Sequence, residues 1–198
     1  LAFFMGMYNR LDAVFIERLL GDNGDLQAGI YASAFRLLDV ANNMSGLLFA
    51  GLLLPLFSRM LKQKEDVSSL VQLAFSLLFI VSTTAAIASL FYGHDIVQLL
   101  YKIHEQETEV AYLLRIHETA QVFAILMFVY IATSTTYVFG TLLTANGSLK
   151  TLNKVAFLGM LISIVLNLSL IPIWNATGSA FASLSAQMVT AIMQVIIA

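Results

Sequence analysis

The chain has 198 residues, of which only 10 are Lys or Arg and 12 are Asp or Glu, giving a formal net charge of -2. Its hydrophobic fraction is 59% and its mean hydropathy +0.85, whereas a soluble domain carries about 25% charged and about 45–50% apolar residues. These values exclude a water-soluble domain and a disordered chain, the lack of a basic stripe argues against a nucleic-acid partner, and the lack of cysteine excludes disulfides and thiolate metal sites.

An all-α, polytopic membrane protein in contact with the lipid bilayer remains. Six transmembrane helices are predicted, at about 1–20, 26–61, 66–92, 109–145, 149–173 and 178–198, because about 20 apolar residues cross about 30 Å of hydrocarbon. Lipid offers no partner to open backbone, so helices are the only spanning form the pattern allows.

The first span is apolar at its start but holds Asn9, Arg10, Asp12, Glu17 and Arg18. The turn cluster Gly21-Asp22-Asn23-Gly24-Asp25 ends it. The second span carries Arg36 and Asp39, then a charge-free run over 40–58, and Pro55 predicts a kink near its end. A short charged loop, 62–66, leads to the third span, which is charge-free over 67–92. The polar connection 93–108 follows, and 94–101 reads as a short amphipathic helix, with Ile96, Val97, Leu99 and Leu100 in the interface and His94, Asp95 and Gln98 toward water. The fourth span is charge-free from 119 to the turn Asn146-Gly147-Ser148, where Gly147 suits the residue after a helix C-terminus and Ser148 an N-cap. The fifth and sixth spans share the charge-free run 155–198, broken by a tight turn at Trp174-Asn175-Ala176-Thr177-Gly178.

The sequence opens and closes inside apolar segments, so it reads as a piece of a longer membrane protein, one lobe rather than the whole machine. Arg59, Lys62, Lys64, Lys150 and Lys154 lie on one side of the bilayer, and Arg18, Lys102 and Arg115 on the other. The positive-inside rule places the first group in the cytoplasm, together with both ends of the chain.

Ionisable groups within a span cost at least about 2.5–3.5 kcal/mol each and therefore face a cavity or a partner. Asn9, Arg10 and Asp12 stand in the first span; Arg36, Asp39, Asn42 and Asn43 stand in the second. On a 3.6-residue repeat Arg36, Asp39, Asn43, Gly46 and Ala50 form one stripe, the wall of a water-filled cavity. Two readings are open for the arginines: a bidentate grip on phosphate oxygens, or local ion pairs, Arg36 with Asp39 and Arg10 with Asp12. The same holds for Asp12 and Asp39, which either bind a proton or Na⁺ or neutralise a neighbouring arginine.

Other residues read as structural. His94, His104 and His117 lack metal-ligand spacing. The run Thr133-Ser134-Thr135-Thr136-Tyr137 fits back-bonded hydroxyls at a helix–helix contact. Ser163 and Asn167 share a face that bonds a neighbouring helix, and Gly178, Ala182 and Ala186, with Ser179 and Ser183, make a small-residue packing ridge.

Four segments carry a resemblance. They are Tyr8-Asn9-Arg10-Leu11-Asp12; the stretch from Ala28-Gly29-Ile30-Tyr31 through Phe35-Arg36-Leu37-Leu38-Asp39 to Leu54-Pro55-Leu56-Phe57-Ser58-Arg59; Leu143-Thr144-Ala145-Asn146-Gly147; and Asn167-Leu168-Ser169-Leu170-Ile171-Pro172 followed by Thr177-Gly178-Ser179-Ala180-Phe181-Ala182-Ser183. In this order the chain resembles the polysaccharide flippases, of O-antigen and capsule type, in the multidrug/oligosaccharidyl-lipid/polysaccharide exporter superfamily. The resemblance implies two six-helix lobes around a central cavity, of which this chain is the second and the first is a missing partner. It implies alternating access in the bacterial inner membrane and export of undecaprenyl-pyrophosphate-linked oligosaccharide, a transport step rather than an enzymatic one. Arg36 and Arg10 would attract the pyrophosphate, with Asn43 and Asn9 beside them. No cofactor is implied, and with no nucleotide-binding loop in the sequence the energy comes from an H⁺ or Na⁺ gradient or the membrane potential. Two alternatives stand: a drug/cation antiporter of the same superfamily, which calls for an acidic cavity, and a membrane-embedded polysaccharide polymerase or acyltransferase, for which the loop 93–108 offers no nucleophile–base arrangement.

Overall fold

A computed structural model describes residues 12–46, 51–103 and 107–198. They are almost wholly helical: α1 (helical over 12–19), a 3-10 turn Gly21–Asn23, α2 (Gly24–Ser45), α3 (Gly51–Gln63), α4 (Ser68–Leu100), α5 (Glu109–Ala145) and α6 (Leu149–Ile197). Among the described residues α4, α5 and α6 are long and apolar enough to cross a membrane. The stretch 47–50 lies outside the described residues, and with it the expected continuity of 26–61. Pro55 lies inside α3 and, without an N–H, cannot bond back to the Gly51 carbonyl.

α5 is the centre, packing on α2, α3, α4 and α6. Half of its most apolar window is buried within the protein, against 28% for α4 and 22% for α6. Its Val122, Phe123, Leu126 and Tyr130 join Ile30, Tyr31, Ala34 and Leu38 of α2 in the main core. α4 meets α5 through a single stripe, Ala74, Leu78, Ser82, Ala86, Ser89, Gly93 and Val97, spaced three or four apart. Most of these residues are small, which lets the two backbones approach. Much of the rest of α4, including Ile80, Phe91 and Leu99, is exposed.

That stripe corrects the expected start of the polar connection at Gly93. The helix runs unbroken to Leu100, so 94–101 is no separate amphipathic helix. Gly93 is a packing residue, since a Cβ there would already touch Phe123 Cδ1 at 3.5 Å. Val97 is fully buried, whereas Leu99 and Leu100 are exposed.

Turn chemistry sets the helix ends. Thr108 caps α5, accepting from the Ala111 N–H at 3.3 Å. After Ala145 the chain reverses through Gly147 at φ 75, with the Ser148 N–H bonding back to the Leu143 carbonyl at 2.9 Å. Ser148 begins α6 without a side-chain cap. Asp66 starts α4 by accepting from the Ser68 backbone N–H at 2.9 Å and the Ser68 hydroxyl at 2.6 Å. These bonds hold its carboxyl below the usual carboxylate range. A depressed folded pKa means the bonds are present above the ordinary Asp value of about 3.9 and are lost as pH falls through the folded value. Acidification below pH ~4 is therefore expected to speed hydrogen exchange at the Ser68 amide, and Asp66→Ala to do the same at neutral pH.

α6 is a hairpin. Asn175 has φ 52 and ψ -136, a left-handed backbone that Asn tolerates better than most residues. Were the helix straight, Asn167 and Ser179 would stand about 18 Å apart, yet the Ser179 hydroxyl donates to Asn167 Oδ1 at 2.7 Å. Further along, Gly159 lies against Thr190. The arms 149–174 and 176–197 are thus antiparallel, and at about 39 and 33 Å each is long enough to span.

Candidate functional site

Among the described residues Asp12 is the only carboxyl buried to 1% exposure. Three donors surround it, each from a different segment. Tyr31 of α2 donates its OH to Oδ2 at 2.7 Å. Ser183 of the second α6 arm donates to the same oxygen at 2.6 Å. Asn167 of the first arm donates Nδ2 to Oδ1 at 2.8 Å. Asn167 is itself oriented by the Ser179 hydroxyl at its Oδ1 and by Ser163, whose carbonyl and hydroxyl accept from Nδ2 at 3.0 and 3.2 Å. Each of Asp12, Tyr31, Asn167 and Ser183 lies seven or eight residues from the turn that ends its segment, so the cluster sits about 12 Å inside the protein.

These contacts explain what the small-residue faces are for. Ser163–Asn167 and Ser179–Ser183 do pack helices together, and they also supply the polar lining of a carboxylate site. Tyr31 gives no signal of its own in the sequence because it sits in an apolar run; only the 19-residue return from Asp12 brings its hydroxyl to the acid.

Asp12 and Ser183 open onto a cavity of about 200 Å³ between α2, α5 and the second arm, also lined by Asp39, Asn42, Asn43, Thr133, Thr136 and Gln187. The α2–α5 wall is fixed by hydrogen bonds. Thr133 donates to Asn42 Oδ1 at 2.7 Å, and the Tyr137 OH to the Asn42 carbonyl at 3.1 Å. Ser45 and Tyr130 share a further hydroxyl–hydroxyl bond. The described lining holds two carboxylates and no Lys or Arg.

Of the predicted site residues, the structure brings Asp12, Asp39 and Asn43 to one cavity. Arg36 is exposed on α2, outside the cavity lining, and forms no ion pair among the described residues. It shares the α2 face of Asn43 but stands about 10 Å nearer the N-terminal end of that helix. The stripe drawn from the 3.6-residue repeat is thus divided, with its acid and amides at the cavity and its arginine clear of it. Asn9 and Arg10 lie outside the described residues.

The end of the fold at the start of α2 is tied separately. Gln27 donates to Glu118 at 2.7 Å and accepts from the Ala176 N–H at 3.1 Å, joining α2, α5 and the start of the second arm. Arg115 binds both oxygens of Glu107 at 2.8 Å and the Lys102 carbonyl at 3.2 Å. The Tyr101 OH reaches the Ser33 carbonyl at 2.9 Å. These bonds hold the polar connection after α4 onto the lobe.

Among the described residues no three or more His, Cys, Asp or Glu side chains are grouped so that they could hold a metal ion. The oxygens gathered at this site, the Asp12 carboxyl and the Tyr31 and Ser183 hydroxyls, suit a proton or a hard cation rather than a transition metal.

No curated protein gives a significant match to the chain. A sequence model of the family described as lipid II flippase MurJ does match it, over residues 24–198. The match supports a lipid-linked flippase and carries no O-antigen or capsule assignment, so the branch suggested by the motifs is replaced by a coarser one. The family consists of membrane transporters, not enzymes, which removes the polymerase and acyltransferase reading. Because the matched segment takes in α2 through α6, nearly the whole described fold, the chain belongs to the lipid II flippase MurJ family of the multidrug-exporter-like superfamily.

Proposed function

We propose that the chain forms a six-helix lobe of a flippase that carries a lipid-linked saccharide pyrophosphate across the bacterial inner membrane by alternating access, and that a lipid II-type peptidoglycan precursor is the cargo. The observation that carries this reading is the family match over 24–198. Between a peptidoglycan and an O-antigen or capsule precursor, the match favours the first; the pyrophosphate-linked lipid chemistry is common to both.

The physical problem is to bring a pyrophosphate past hydrocarbon, where an unpaired ion is prohibitively costly. Arg36 has an exposed guanidinium on the α2 face that continues to Asn43, and a guanidinium grips phosphate oxygens bidentately at any working pH. In this reading Arg36, with Arg10 and Asn9 of the first span, meets the pyrophosphate, and Asn43 meets the saccharide. The first lobe of the same protein supplies the opposite wall, and the prenyl tail stays in lipid. Asp12 and Asp39, which line one cavity apart from Arg36, form a separate acidic site that binds the coupling proton or Na⁺.

Arg36→Ala in the full-length protein is expected to insert normally, because an exposed substitution changes stability by only about 0.5 kcal/mol. It is expected to lose translocation of the lipid-linked precursor to the outer leaflet. Wild-type translocation by this variant would remove Arg36 from the cargo site. A drug/cation antiporter is the second reading, favoured by the two cavity carboxylates alone; gradient-driven efflux of a cationic dye by the full-length protein would support it, with no dependence on Arg36.

A further inference from the structure

Most hydroxyls on α5 have a partner. Thr135 donates to the Ile131 carbonyl, Thr141 to Tyr137, Thr144 to Gly140, and Thr133 to both Asn42 and Tyr130. Ser134 and Thr136 differ: the Oγ of each is buried with no hydrogen-bond partner among the described residues, and of the two only Thr136 lines the cavity. The orphan that faces Thr136 lies deeper, on the second arm of α6. Gln194 is only 3% exposed, and its Oε1 has no partner either.

Thr136 and Gln194 share one seam. Gly140 follows Thr136 by one turn on α5, and Gln194 follows the cavity residue Gln187 by two turns on the second arm. Gln194 Oε1 is 2.9 Å from where a Cβ on Gly140 would sit, and Thr136 Cγ2 is 3.7 Å from the same point. Gly140 therefore leaves the space into which the Gln194 oxygen points, with Thr136 at its upper edge. From there the seam runs on toward the ends of α5 and the second arm, the inner face of the lobe under the positive-inside orientation.

A buried polar group left without a partner keeps the full cost of its lost hydration. In folded proteins such groups are satisfied by ordered water wherever a polar site has room for it. Thr136 lines the polar cavity, and the Gln194 oxygen occupies the space that Gly140 leaves, so two orphans on facing helices lead away from that cavity. We propose that the α5–α6 seam at Thr136, Gly140 and Gln194 is a hydrated passage joining the cavity to the inner face of the lobe. It admits water and ions of bare alkali-cation size. Its role, which rests on the coupling reading of Asp12 above, is to let the coupling proton or cation leave toward the cytoplasm without opening the wider cargo path.

The 198 residues contain no cysteine, so single thiols can report water access. Thr136→Cys, Gln194→Cys and, as a dry control, Val138→Cys are introduced one at a time into the full-length protein, with any thiol outside this lobe replaced by serine. Val138 is fully buried on the opposite side of α5, against Leu53, Phe57 and Leu78. Inside-out membrane vesicles are exposed to Ag⁺, and the thiols left unblocked are then labelled with a maleimide after denaturation. The T136C and Q194C variants are expected to be blocked on the order of tenfold faster than V138C, since thiol reactivity follows access to water. Adding Gly140→Val to T136C is expected to return its rate to that of V138C. Rates for T136C and Q194C no faster than V138C would overturn the passage. If both thiols react but Asp12→Asn leaves gradient-dependent flipping intact, the passage stands and the coupling reading fails.

Discussion

Asp12→Asn in the full-length protein is expected to fold and insert as the wild type does, yet to flip its cargo at least about tenfold more slowly, equivalent to about 1.4 kcal/mol. Asparagine has the shape of aspartate. Its amide oxygen keeps one acceptor for the Asn167 Nδ2, and the Tyr31 and Ser183 hydroxyls can rotate to accept from its NH₂, because a hydroxyl both donates and accepts. The scaffold thus survives while the charge that binds a proton or cation is gone. Asp12→Ala serves as the contrast, because it leaves the donors of Tyr31, Asn167 and Ser183 around a void. Tyr31 and Ser183 are 3.2 Å apart and can partly satisfy one another, so the expected loss is about 3 kcal/mol rather than the full sum for three orphaned groups. Thermal unfolding in detergent separates the two variants, and flipping under an imposed ion gradient tests the role. An Asp12→Asn protein that flips at the wild-type rate with unchanged gradient dependence would leave Asp12 a purely structural acid.

The second large effect is expected at Gly178. A Cβ there would lie 2.4 Å from the Leu170 carbonyl oxygen and 2.6 Å from its carbon, both backbone atoms that cannot swing aside. Gly178→Ala must push the two α6 arms apart just above the Asn167–Ser179 bond. A destabilisation of about 3 kcal/mol, the upper end for overpacking, is expected. The same displacement pulls Asn167 and Ser183 away from Asp12, so flipping should fall with stability. Gly29→Ala is the matched control: a Cβ there meets nothing within 4 Å, and replacing a mid-helix glycine stabilises by about 0.5–1 kcal/mol where space allows. Equal unfolding temperatures for Gly178→Ala and the wild type would show that the hairpin tolerates separation at this point.

The lipid solvent and the helical class are legible in the sequence, because both follow from charge spacing and backbone satisfaction. The reversal at Asn175 is legible too, since Pro172, Asn175 and Gly178 interrupt a run otherwise long enough for two spans. Gly93 misleads because a glycine beside His94 and Asp95 has the composition of a turn, and only the α5 surface at Phe123 shows that it is a contact. The acids at the cavity can be anticipated from the cost of placing them in a span. Their separation from Arg36 cannot, because helical periodicity fixes direction around one axis and says nothing of which neighbour occupies that direction. Asn167 and Ser183 read as packing residues for the same reason, since their partner lies more than 150 residues away.

That distance bears on how the protein is made. Within this lobe Asp12 enters the membrane long before Ser183, which follows 171 positions later along the chain. The α6 hairpin can form locally as it emerges, as can the contacts between α4 and α5. The acid of the first span must wait for both arms of that hairpin before its last donors arrive. Assembly of the lobe is therefore closed by α6 docking against the segment that carries Asp12, and a ribosome stalled before Asn167 leaves a membrane-inserted chain whose buried acid lacks two of its three donors.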